Sequence, residues 1–134
     1  LNDLGFKVLG EKKGFTQSHQ TVVNVLDYGD GGKIEADLEK ANIIVNRQLI
    51  PGDIKAKRHY MHPGGIRLGT SEVTRLGMKE SEMGQIASFI KSVIVDNKDT
   101  KDIAKQIAEF RKTYQKTQYC FDNNLGAYEY VKLR

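Results

Sequence analysis

Arg67 is the residue in this chain best placed for chemistry, because it sits in the run Gly64-Gly65-Ile66-Arg67-Leu68-Gly69-Thr70. Ile66 and Leu68 alternate with it as on a strand, and glycines flank the group on both sides. A guanidinium offers five donors in a planar fork and keeps its charge, so it suits a carboxylate or a phosphate. Glycines nearby let backbone and ligand come close. An edge-strand arginine facing water fits the same pattern, and the pattern leaves both readings open. The other reactive side chains point less clearly. His59 and His62 bracket Tyr60 with no third ligand at metal spacing, so zinc is not expected. His62 precedes Pro63-Gly64 and is near Arg67 in sequence, whereas His19 precedes a strand, where a hydrogen-bonding or interface role is expected. Cys120 is the single cysteine, which excludes an intrachain disulfide and a thiolate metal cluster, and a buried inert thiol is the expectation.

The elements that must position Arg67 follow from residue periodicity. Phe6 to Leu9 reads as a short strand ended by Gly10 and the polar run Glu11 to Gly14. Thr21 to Leu26 is the clearest strand, β-branched and stopped by Asp27-Tyr28-Gly29-Asp30-Gly31-Gly32. From Lys33 the pattern is helical, with Ile34, Leu38 and Ala41 on one face. A short β-branched run, Ile43 to Val45, comes next. Residues 46–63 read as an irregular excursion with Pro51-Gly52 as a turn. After the Arg67 strand, Ser71 is placed to cap a short helical turn limited by Thr74 and Gly77. Glu80 to Val95 reads as a long helix with Met83, Ile86, Ala87, Ile90, Val93 and Ile94 on its apolar face. Asp99 or Thr100 should cap the last helix, whose stripe is Ile103, Ile107, Phe110 and Tyr114.

This order predicts an α/β (α+β) two-layer sandwich, a small mixed and partly antiparallel sheet covered by helices on one side. A free second side suggests packing on another domain. No glycine-rich phosphate fingerprint follows a strand and opens a long helix, so a Rossmann unit is excluded. The 134 residues fit one domain, and 39% apolar content suffices for one modest core. The first residue is Leu1 rather than Met, so a processed product or an excised piece of something longer is expected. Basic residues are scattered despite a net charge of +4, and the cluster Lys55, Lys57, Arg58 is too short for a nucleic-acid groove. With neither a long apolar span nor a signal peptide, no membrane association and a cytoplasmic location are expected.

Three segments together resemble one family. The sequence from Gly64 to Glu80, GGIRLGTSEVTRLGMKE, is similar to the serine hydroxymethyltransferase signature S-G-[IL]-R-[IVL]-G-T-x-x-x-T-x-x-G-[FM]-K-E. Upstream, His19 to Asp27 (HQTVVNVLD) resembles that family's strand after the active-site crossover, and Ala41 to Asn46 (ANIIVN) its A-N-I-T-V-N segment. Their order and spacing agree with the family, and the Met78-Lys79-Glu80 and Glu72-Val73-Thr74-Arg75 forms look archaeal.

The resemblance implies that residues 1–134 are the C-terminal small domain of a fold-type I pyridoxal-phosphate transferase whose large domain lies elsewhere. Such a parent moves a one-carbon unit between serine and a tetrahydropterin, a folate or a modified pterin, and releases glycine. It works as a homodimer. By the same resemblance Arg67 binds the substrate carboxylate, and the loop after V-N-K-N holds the pterin. Here that loop reads Val45-Asn46-Arg47-Gln48, so Gln48 stands at the familiar asparagine, with a solvated loop residue as the other reading. Arg75 and Lys79 are placed for domain-interface ion pairs or for plain surface roles. The family's T-x-x-x-H-K-[ST] lysine segment does not occur in this sequence, so the chain by itself is expected to be inactive and to bind no cofactor. Two alternatives remain: the small domain of an aminotransferase-like enzyme, and a stand-alone binding or structural module.

Overall fold

The structure is a computed structural model and describes residues 1–118. Strands β1 (Lys7–Val8), β2 (Gln20–Asn24), β3 (Asn46–Gln48) and β4 (Gly65–Gly69) form a sheet in the order β1-β2-β4-β3. Helix α1 (Gly31–Lys40) joins β2 to β3, while α2 (Ser71–Arg75), α3 (Glu80–Ile94) and α4 (Thr100–Arg111) follow β4. The two-layer α/β arrangement expected from the sequence is present. Antiparallel pairing accounts for all three described strand pairs.

Direct partners across an antiparallel ladder share a face, so the register divides the sheet. Val23 pairs with Ile66, and Thr21 with Leu68, on one face. Val23 and Ile66 are buried there in one cluster with Ile34 and Leu38 of α1, Ile90 and Val93 of α3, and Ile103 and Ile107 of α4. Phe89 and Phe110 lock α3 to α4 edge to face at 5.8 Å. The opposite face carries Gln20, Asn24, Asn46, Gln48 and Arg67, with Val22 among them. Those side chains are exposed or half-buried, so the free side of the sheet is polar. The open apolar surface is instead a groove of about 640 Å³ on the helix side, lined among others by Leu68, Val73, Met78, Met83, Ile86 and Phe110.

Several boundaries differ from those read in the sequence. Ile43 to Val45 is not a strand, and the turn that closes α1 reaches as far as Ile43. Ala41 and Ile43 both donate their N–H to Leu38 O, at 3.0 and 2.9 Å, and Asn42 takes a positive φ. Sheet pairing therefore starts at Asn46, inside what read as an irregular excursion. β2 does end before the run Asp27 to Gly32, but α1 starts within that run rather than at Lys33: Gly31 and Gly32 open it, capped by Asp30, whose carboxylate accepts from Lys33 N at 3.0 Å. Gly31 is there for space: a Cβ would lie 2.1 Å from Gly65 O, so the start of α1 rests directly on β4. Thr70 rather than Ser71 takes the N-cap position of α2, without a side-chain cap bond. Its hydroxyl is committed elsewhere, donating to His19 O at 3.3 Å. Asp99 caps α4 through Lys101 N at 2.8 Å. Of the expected apolar faces, Met83, Ile86 and Phe110 are half-buried, Tyr114 falls beyond the end of α4, and Phe89 joins the core unpredicted.

Candidate functional site

β4 lies between β2 and β3, so Arg67 is on an interior strand and the edge-strand reading does not hold. Its Cα partners are Val22 on one side and Asn46 on the other, and all three share the open face. Arg67 is half-buried, and its Nη2 donates to Asn46 Oδ1 at 3.4 Å. Among the described residues no carboxylate pairs with it. The contrast with its neighbours is informative: Arg47 pairs with Glu35, Arg58 with Asp53 at 3.5 Å, and Arg75 with Glu72 at 2.8 Å. A guanidinium taken partly out of water and given only a neutral partner keeps unused donors and uncompensated charge, which is what a carboxylate satisfies best.

The amides around Arg67 are mostly turned to their own neighbours. Gln48 Nε2 donates to Leu49 O at 3.0 Å, Asn24 Oδ1 accepts from Leu26 N at 3.0 Å, and Gln20 meets the His19 ring at 3.3 Å. Asn46 alone of the four reaches the guanidinium among the described residues. Gln48 shares this face opposite Gly65, two positions along β4 from Arg67.

The histidines lie elsewhere. His62, near Arg67 in sequence, turns to Asp30, with Nδ1 and Oδ2 3.3 Å apart. The Lys33 backbone N–H, with a smaller contribution from His62, holds the Asp30 carboxyl below its ordinary value. His59 Nδ1 accepts from Met61 N at 3.3 Å. Among the described residues no group of acids, histidines and cysteines is arranged to hold a metal. Arg75 grips Glu72 through Nε and Nη2 at 2.9 and 2.8 Å, and this pairing lowers the Glu72 pKa. Lys79 donates its backbone N–H to Glu82 Oε2 at 2.7 Å, opening α3. Cys120 lies outside the described residues.

Two residues that matter here carry little sequence signal. Asp53 is 2% exposed, and its Oδ2 accepts from Ile50 N at 2.9 Å and Gly64 N at 2.8 Å. It closes the neck of the excursion at Gly64, the residue just before β4 and three before Arg67. Reading it as one more polar residue after Pro51-Gly52 hides this, because its second partner is eleven positions on. Asn46 sits inside a recognised segment, yet its contact with Arg67 depends on strand register.

Comparison with known proteins agrees with this architecture. The family model described as serine hydroxymethyltransferase matches residues 1–90. The whole chain is 73% identical to a serine hydroxymethyltransferase of Nitrosopumilus maritimus and 69% identical to one of Cenarchaeum symbiosum. It spans only 30% of the length of each. Among solved structures, it is similar to an L-threonine transaldolase from Pseudomonas fluorescens, crystallised in its internal aldimine state. The TM-score is 0.74 and the identity 33%, covering 93% of this chain and 28% of that one. With the family model spanning well over half of its residues, the chain belongs to the serine hydroxymethyltransferase family.

Proposed function

We propose that the chain is one domain of a longer, homodimeric enzyme that uses pyridoxal phosphate to move a one-carbon unit between serine and a tetrahydropterin. In this reading its open sheet face supplies the clamp for the substrate carboxylate. The observation that carries the reading is Arg67: interior strand, half-buried, on the uncovered polar face, with no carboxylate partner among the described residues. A bidentate grip on the carboxylate fixes the amino acid's orientation. That is a positioning contribution, made by binding geometry rather than by proton transfer.

Among the described residues, no lysine suits covalent attachment of the cofactor. Covalent attachment needs a lysine whose amine is desolvated or otherwise activated. The described lysines are exposed, except half-buried Lys91, which is paired with Asp96 at 2.8 Å. Covalent attachment of the cofactor is therefore assigned to parts of the longer protein beyond the described residues.

Arg67→Ala in the longer protein should raise the KM for serine and lower kcat, together costing roughly 100-fold or more in kcat/KM. Arg67→Lys should recover only part of the loss, since a point charge cannot reproduce the fork. An unchanged serine KM in Arg67→Ala would end the clamp reading.

Gln48 is assigned to the pterin, on the same face and within one strand of Arg67. Gln48→Ala is expected to raise the KM for the pterin several-fold, by about the loss of one hydrogen bond, with the serine KM unmoved. A shift in the serine KM alone would transfer Gln48 to the amino-acid site.

A further inference from the structure

We propose that Asn46 is a positioning residue for Arg67 and sets its selectivity for anions, an inference that rests on the carboxylate-clamp reading. Asn46 and Arg67 are direct partners across β3 and β4, so their side chains leave the sheet side by side on the open face. The contact runs from Arg67 Nη2 to Asn46 Oδ1 at 3.4 Å. A guanidinium has donors only, which fixes the orientation of the amide: the oxygen must face Arg67. The Nδ2 amino group is then directed away from the guanidinium, and its two donors have no partner among the described residues. The pair thus presents a forked cation and a neutral N–H donor on one side, suited to a carboxylate whose oxygens exceed what one arginine satisfies.

The neutrality of the amide is the point. An aspartate of the same size at this position would hold Arg67 as firmly or more so, because it would form a charge-assisted pair. It would also neutralise the guanidinium and place a negative oxygen where the substrate carboxylate has to come. Asn46 orients the arginine without spending its charge. Other arginines in the chain show the alternative, since Arg47, Arg58 and Arg75 are each engaged by an acid.

The test compares Asn46→Asp, Asn46→Ala and Arg67→Ala in the longer protein, with serine as the varied substrate, and melts the same Asn46 variants in the 134-residue chain. Asn46→Asp should raise the serine KM roughly tenfold or more, and Asn46→Ala by a smaller factor. Yet Asn46→Asp should melt at or above the wild-type temperature, because it gains an ion pair. A merely structural residue would give parallel losses of stability and binding, and that result would overturn the proposal. So would an Asn46→Asp enzyme that binds serine as well as Asn46→Ala. If Arg67→Ala raises the serine KM while neither Asn46 variant moves it, the clamp stands and the role of Asn46 falls. If Arg67→Ala has no effect, the clamp reading itself has failed.

Discussion

Asp53 shows how a single side chain can hold the geometry of a site it never touches. Its carboxylate is buried and accepts two backbone N–H groups, one from each end of the loop between β3 and β4, with Arg58 alongside. Removing it strands two buried donors and leaves the Arg58 charge without its acid. Asp53→Ala should therefore destabilise the chain by roughly 2–4 kcal/mol, read as a lower denaturant midpoint with unchanged slope. Asp53→Asn should cost less, because the amide oxygen can still accept, though without charge. An Asp53→Ala midpoint equal to wild type would show that the neck is held by packing around Ile50 and Pro63. Arg67 was legible in the sequence because glycines and alternating apolar residues mark it. Asp53 and Asn46 were not, since each draws its meaning from a partner brought close by folding: Gly64 for one, Arg67 for the other.

The same distinction holds for elements. Helices α3 and α4 and strand β2 announce themselves by period, because each buries one continuous face in the core. Strand β3 does not: Asn46, Arg47 and Gln48 have weak strand propensity and pair only because β4 offers an edge. Helix α1 begins earlier than its apolar period suggests, since two glycines are helical there for reasons of close approach and an N-cap. That cap is testable. Asp30→Ala should cost about 1 kcal/mol of stability. The Asp30 carboxyl is held below its ordinary value of 3.8 by the Lys33 N–H, with His62 contributing. A group depressed in the folded state contributes its stability above its unfolded pKa. This contribution is full above about pH 5 and is lost as the pH falls through 3.8 and below. Wild type and Asp30→Ala should converge in melting temperature as the pH drops from 6 to 3. Parallel curves over that range would show that the carboxylate charge does not matter to the helix.

At the scale of the whole molecule, the helices complete one layer of the sandwich and leave two different open surfaces. The sheet face around Arg67 is polar and half-exposed. The groove beside Leu68, Met78 and Met83 is apolar and sits in the helix layer. The two-layer architecture and a free side of the sheet could be read from the order of elements alone. The position of the apolar opening could not, because it depends on how far α2 and α3 stand off the end of β4. Contiguous apolar surface of this kind attracts amphiphiles in a folded protein. The 134-residue chain should accordingly enhance the emission of an anilinonaphthalene sulfonate dye saturably, while still unfolding in one cooperative transition. Met83 is half-buried on the groove wall, so Met83→Glu should place a like charge against the sulfonate at little cost to stability. Dye affinity should then fall several-fold with the melting temperature nearly unchanged. Equal dye binding by wild type and Met83→Glu would mean that the dye reports another surface, and that the groove is closed in solution.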